Sequence, residues 1–180
     1  MKIVLIRHGE TDYNKDRLIQ GRSNILLNDK GRFQVKQLRE KLKDIPIDVC
    51  YMSPLVRTVE TAFLLVGDKV EMIPDRRLLE RDFGELEGKS VDEYDGVKFW
   101  DYNLNYNKYH VEPIQDVFQR CRSLIDYLLE KYNDNTTILI VSHGAVIRAL
   151  HHILLNSDLN KDLLRFPVSN CYFEEIDIKK

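Results

Sequence analysis

The sequence predicts an α/β fold, a three-layer α/β/α sandwich around a mainly parallel sheet with a small cap insertion. Two observations predict it. Three short apolar runs rich in β-branched residues, at 2–6, 49–52 and 137–141, read as strands buried on both faces. Stretches of helical periodicity separate them, and strands alternating with helices of that length build a parallel sheet covered on both sides.

Each element has its own signal. The first strand is 2–6. A helix follows in which Val35, Leu38 and Leu42 fall at i, i+3 and i+7, with Asn28 placed to cap its start. The second strand, 49–52, leads into a helix from Ser53 or Pro54 to about Val66. Residues 70–73 are a candidate fourth strand. A longer helix after Pro113 repeats one face through Val117, Cys121, Leu124, Leu128 and Tyr132. The strand 137–141 then feeds a helix from Gly144 to about Leu155, and residues 170–178 read as a closing edge strand. The segment 88–112 has weak periodicity and carries Phe99, Trp100, Tyr102, Tyr106 and Tyr109. It reads as an insertion over one end of the sheet, a cap with its own apolar core in preference to a stacking surface for a base.

At 180 residues with 43% apolar content and no linker-like stretch, the chain is expected to form one domain, 1–180. Its 27 basic and 29 acidic residues leave the net charge near zero, which gives no electrostatic case for a nucleic-acid or membrane partner. A small-molecule ligand is the expectation, and the oligomeric state is left open. No apolar run approaches the roughly 20 residues of a membrane span, and the N-terminus enters a strand without a signal-peptide pattern, which argues for the cytoplasm. Cys50, Cys121 and Cys171 are odd in number and widely spaced, so buried reduced thiols are expected in place of disulfides or a zinc site.

The three main strands each stop at a polar cluster: Arg7-His8-Gly9, Ser53-Pro54 followed by Arg57, and Ser142-His143-Gly144. All three clusters therefore lie at carboxyl ends of strands, where open α/β sheets bind ligands. Two histidines and two arginines converge there, although His8 and His143 are about 135 residues apart. A phosphate monoester is a dianion near neutral pH. Arginine forks meet phosphate oxygens bidentately and do not titrate in the working range. A neutral imidazole held through one ring nitrogen offers the other as nucleophile. Helix N-termini after Ser53 and His143 would direct backbone N–H groups at the same anion. Glu80, after a short strand and turn, reaches the rim and could protonate a leaving alkoxide.

In that order the motifs resemble branch one of the histidine phosphatase superfamily, the phosphoglycerate mutase-like proteins. They are Arg7-His8-Gly9-Glu10-Thr11 with Asn14, Ser53-Pro54-Leu55-Val56-Arg57-Thr58 with Glu60-Thr61, Glu80 with Phe83-Gly84 and Glu87-Gly88, and Ser142-His143-Gly144. The resemblance runs from residue 2 to about 155. It implies cofactor-free and metal-free phosphoryl chemistry of the histidine acid phosphatase type, which phosphatases and mutases share, with a phospho-ligand-binding pseudoenzyme as the alternative from another class. His8 would be the phosphorylated nucleophile, Arg7, Arg57 and His143 the phosphoryl binders, Glu80 the proton donor and Asn14 a phosphate contact. Gln20-Gly21-Arg22 sits where relatives line the pocket, which makes Gly21 and Arg22 weaker ligand candidates, and Gly144 joins them at the start of its helix. Two departures matter. The segment 90–110 has only Lys98 and Lys108 as cations, fewer than a mutase needs for a second anionic group, so hydrolysis is expected over phosphoglycerate mutase chemistry. Val111-Glu112-Pro113 also replaces the usual Gly-Glu-Ser, and the substrate class stays open, with a mild lean toward a ring.

The remaining candidates read as structural. His110 is expected at the surface, His151 and His152 cannot both face one site, and Arg76, Arg77 and Arg81 read as solvated charges. Ser142 beside His143 lacks a G-x-S-x-G elbow. Glu10 and Asp12 with the histidines lack metal-ligand spacing.

Overall fold

A computed structural model describes residues 1–159 and 163–178 of the chain. In chain order its elements are β1 (Lys2–Arg7), α1 (Asp12–Lys15), α2 (Asp29–Leu42), β2 (Val49–Met52), α3 (Val56–Val66), β3 (Glu71–Pro74), α4 (Gly96–Phe99), α5 (Ile114–Lys131), β4 (Thr137–Ser142), α6 (Gly144–Leu154) and β5 (Phe173–Asp177). The sheet order is β3-β2-β4-β1-β5; the first four strands are mutually parallel and β5 runs antiparallel to β1 at the edge.

Alternation along the strands builds the three layers. Ile3, Leu5, Tyr51, Ile138 and Ile140 pack with α5 and α6 on one face. Val4, Ile6, Cys50, Met52, Leu139 and Val141 pack with α2 and α3 on the other. Every residue of β2 and β4 is buried, which is why their sequences are continuous apolar runs. The helix after β1 lies on one face and the helix after β4 on the other, although β1 and β4 are neighbours. That divergence opens a crevice at the carboxyl ends of the two central strands. No helix among the described residues is long and apolar enough to cross a membrane.

Three details differ from the sequence reading. Helix α3 starts at Val56, because Leu55 is extended (φ −72°, ψ 141°) and Ser53 still follows the strand, donating its N–H to Val141. The aromatic cap does not form a core of its own: Phe99 and Trp100 are buried in the same cluster as the sheet face under α5 and α6. Phe99 meets Tyr106 with ring centroids 4.9 Å apart, and Tyr102 meets Phe118 of α5 at 5.0 Å. Arg81 is the third correction. It is 0% exposed, whereas Arg76 is exposed and Arg77 half-buried in an ion pair with Asp75. The Arg81 guanidinium donates to the carbonyls of Glu112 (2.7 Å), Phe99 and, at 3.5 Å, Tyr106. It also lies over the rings of Phe83, Phe99 and Trp100. A fork with several donors can satisfy a turn that has lost its own backbone partners, and here it ties the cap to the sheet.

Candidate active site

The register of the central strands places the two histidines. Arg7 pairs with Ser142 at the ends of β1 and β4, and the His8 N–H donates to the Ser142 carbonyl at 3.0 Å. His8 and His143 are therefore the next residue of each strand, with ring centroids 5.2 Å apart. Gly9 is required by what crosses it: a Cβ there would lie 2.7 Å from the Gly31 carbonyl oxygen of α2. Its N–H donates to Thr61 Oγ1, which fixes the loop against α3.

The hydrogen bonds define the tautomers. His8 Nδ1 lies 2.7 Å from the Gly9 carbonyl, which can only accept, so the proton sits on Nδ1 and Nε2 keeps its lone pair. His143 is the reverse. Its Nδ1 accepts from Arg57 Nε at 3.2 Å, so its proton sits on Nε2, 2.8 Å from Ser53 Oγ. Both rings are buried and held well below the usual histidine range, first by burial and then by the positive charge of Arg57. Two neutral imidazoles stand side by side, one offering a lone pair and the other giving its N–H to Ser53 Oγ.

Two guanidinium groups flank them, that of Arg57 buried and that of Arg7 half-buried. Arg57 spends Nε on His143 and bonds the carbonyls of Ser23 (Nη1, 2.7 Å) and Gly21 (Nη2, 2.8 Å). Arg7 donates Nη1 to the Val168 carbonyl at 2.5 Å, and its buried Nε finds no acceptor among the described residues. Burial lowers each to about 10, with Glu80 opposing the shift in both. Both remain cationic at neutral pH, and their desolvated charge with unspent donors favours an anion.

Glu80 is held by the start of α6. Its carboxylate accepts from Ala145 N (3.2 Å) and from Arg81 N (2.9 Å). Of the helix-terminus N–H groups expected to face an anion, that of Ala145 in α6 is taken by Glu80 and that of Val56 in α3 by Asn24 Oδ1. Asn14 is the third helical residue of a capping box with Thr11, and its Oδ1 also accepts from Asn170 Nδ2 at 3.0 Å. That leaves the Asn14 amide N–H groups as donors.

A cavity of about 150 Å³ lies over these groups, lined by Arg7, His8, Asn14, Gly21, Arg57 and Glu80, and by Leu18, Ile19, Gln20, Phe83, Val91 and Tyr94. His143 and Gly144 do not line it: His143 is fully buried, and a methyl group on Gly144 would lie 3.9 Å from Arg7 Cζ. Arg22 is turned away: it bonds the Glu80 carbonyl and pairs with Asp82 and Glu112, each at 3.3 Å. Outside the cavity, His110 is exposed beside Glu85, and His151 stacks on Phe166 and meets Glu174. Ser142 Oγ donates to the Leu78 carbonyl. Glu10 is engaged with Lys30 and Asn28, and no three His, Cys, Asp or Glu side chains among the described residues converge on a metal position.

Sequence reasoning missed the apolar wall and Asn170. Leu18 faces the cavity because residues 17–19 pair with 88–91, through the Leu18–Ser90 bridge and the Val91 N–H to Arg17 carbonyl bond. No local periodicity marks such a pairing. Asn170 donates to both the His8 carbonyl and Asn14 across more than 150 positions of chain.

The chain matches the family model of the histidine phosphatase superfamily (branch 1) over residues 3–180. It is 34% identical over 160 residues to phosphoglycerate mutase-like protein 4 of Arabidopsis thaliana, covering 83% of this chain and 69% of that one. Phosphoserine phosphatase 1 of Hydrogenobacter thermophilus is 32% identical over 190 residues, covering 100% and 88%. The structure of YhfR from Bacillus stearothermophilus superimposes with a TM-score of 0.88 at 28% identity, covering 99% of this chain and 91% of that one.

Proposed function

The chain belongs to the histidine phosphatase superfamily, branch 1, and on that premise we propose that it hydrolyses phosphate monoesters of a small metabolite through a phosphohistidine on His8. The observation that carries the proposal is the paired tautomers: a free Nε2 lone pair on His8 beside two guanidinium groups whose donors are not all spent. His8 Nε2 attacks phosphorus in line, the ester P–O bond breaks, and the departing alkoxide takes a proton from Glu80. Glu80 then removes a proton from water, which attacks the phosphohistidine. Orthophosphate leaves, and both residues return to their starting forms. Arg7 and Arg57 stabilise the equatorial oxygens, the task a metal ion performs elsewhere, and His143 joins them when the substrate takes the Nε2–H that Ser53 Oγ holds here. In mechanism this is the histidine acid phosphatase type.

Hydrolysis is favoured over mutase chemistry by the cap. The cavity's cations, among the described residues, are Arg7 and Arg57; Lys98 instead pairs with Asp95 and is exposed. A phosphoglycerate needs a further positive group for its carboxylate. The wall of Leu18, Ile19, Phe83, Val91 and Tyr94 suits an apolar or ring-bearing alcohol portion. Benzyl phosphate should therefore exceed 2-phosphoglycolate in kcat/KM, and the reverse order would refute that assignment. We place the protein in the cytoplasm, since its three cysteines are free and two are buried.

The direct test is phosphate release from p-nitrophenyl phosphate in EDTA by wild type and by His8→Ala. Loss in the variant supports the reading, and activity surviving in it means another nucleophile. An inactive wild type that interconverts 2- and 3-phosphoglycerate is a mutase, and one that only retains phosphate is a binding protein.

A further inference from the structure

We propose that Glu87, which does not line the cavity, is a positioning residue that sets the Arg57 guanidinium for phosphoryl binding through the loop 21–23. The inference rests on the phosphatase reading above. Glu87 Oε1 accepts from Arg22 N (2.8 Å) and Phe83 N (3.3 Å), and Oε2 accepts from Ser23 N (2.9 Å) and Ser23 Oγ (2.6 Å). Arg22 N and the Gly21 carbonyl belong to one planar trans peptide, so they point in opposite directions. When Glu87 takes the N–H, the carbonyl of the same peptide faces Arg57 Nη2 at 2.8 Å. The Ser23 carbonyl holds Nη1 at 2.7 Å, on a residue that Glu87 anchors through two further bonds.

The loop is built around this carboxylate. Gly21 has φ +51°, and a Cβ on it would lie 1.9 Å from Glu87 Oε1, so only glycine lets the acid come this close. Directly after Glu87, the Gly88 N–H donates to the Ile19 carbonyl and the Ile19 N–H to the Lys89 carbonyl, at 2.8 and 2.9 Å. The segment that opens the cap is thereby fixed to the loop that holds the fork. Arg57 spends three of its five N–H donors on His143, Gly21 and Ser23, and the remaining two are aimed without further rearrangement.

A double-mutant cycle separates this role from general support of the fold. Glu87→Ala, Glu87→Gln, Arg57→Ala and both combinations with Arg57→Ala are compared in kcat/KM for p-nitrophenyl phosphate and in inhibition by vanadate. In the wild-type background Glu87→Ala should lower kcat/KM and vanadate affinity by about tenfold each. In the Arg57→Ala background the same change should cost less than about twofold, because the group it positions is gone. Glu87→Gln keeps one acceptor oxygen and should recover part of the loss, with the pH profile of kcat/KM unchanged in shape. Losses that multiply in the combined variant would overturn the proposal. If Glu87→Ala does not fold, the Gln arm decides: wild-type vanadate affinity in Glu87→Gln would also overturn it. An inactive wild type, or Arg57→Ala without a defect, instead refutes the phosphatase reading itself, and either result is visible before any Glu87 variant is measured.

Discussion

Truncating Arg81 to alanine should destabilise the protein by about 3 kcal/mol and loosen the cap before the sheet. Three contributions set the figure. The carbonyls of Glu112 and Phe99 lose their donor, at about 1–3 kcal/mol each. Removing the side chain from beneath Phe83, Phe99 and Trp100 leaves a cavity, which costs about 2–4 kcal/mol. Against these stands relief of a buried charge. Burial lowers Arg81 to about 10, and at about 1.4 kcal/mol per pH unit its removal returns about 3 kcal/mol. Arg81→Met keeps most of the packing, so relief nearly cancels the lost bonds and the net change should be about 1 kcal/mol. Trp100 is the sole tryptophan of the chain and lies 5.7 Å from the Arg81 guanidinium carbon, so its emission reports the cap directly. Urea unfolding followed by Trp100 fluorescence and by far-UV circular dichroism gives both quantities. Because Val91 and Tyr94 reach the cavity from the cap, KM for benzyl phosphate should rise in Arg81→Ala while inhibition by inorganic phosphate changes little. Coincident transitions with a loss below about 0.5 kcal/mol in Arg81→Ala, or full recovery by Arg81→Lys, would refute the argument that a multi-donor fork holds the cap.

Glu80→Gln should slow esters with poor leaving groups by about 10²-fold or more and activated aryl phosphates far less; equal losses on both would remove Glu80 from proton donation. Stability should fall as pH drops below about 6.5: the unfolded chain then takes up protons on His8 and His143, while the folded rings, held well below that value by burial and Arg57, stay neutral. The slope is up to about 1.4 kcal/mol per pH unit for each histidine, and His143→Asn should flatten it in urea titrations between pH 7.5 and 5.5; an unchanged slope would contradict the assigned burial effect. EDTA should leave turnover unaltered, and strong inhibition that zinc or magnesium reverses would return the Glu10 and Asp12 cluster to consideration.

Local pattern alone determined the strands, the four longer helices α2, α3, α5 and α6, and the residues at the strand ends. Apolar runs such as Ile138 to Val141 and the break at Ser142-His143-Gly144 are contiguous in the chain, so burial on two faces and its abrupt end are written locally. The same locality made Arg7, His8, Arg57 and His143 legible as one cluster, since the sheet's parallel connections bring successive strand ends to one edge. Tertiary structure decided what depends on distant partners. Arg81 looks like its neighbours Arg76 and Arg77 in sequence, yet carbonyls as far along as Glu112 bury it. Glu80 takes the Ala145 N–H at the start of α6 from 65 positions away. The His143 tautomer, the apolar wall made by pairing 17–19 with 88–91, and the Glu87 anchor of the Arg57 loop likewise rest on long-range hydrogen bonds. Such bonds satisfy backbone groups that local structure leaves open, and the fold alone selects which side chain arrives to do so.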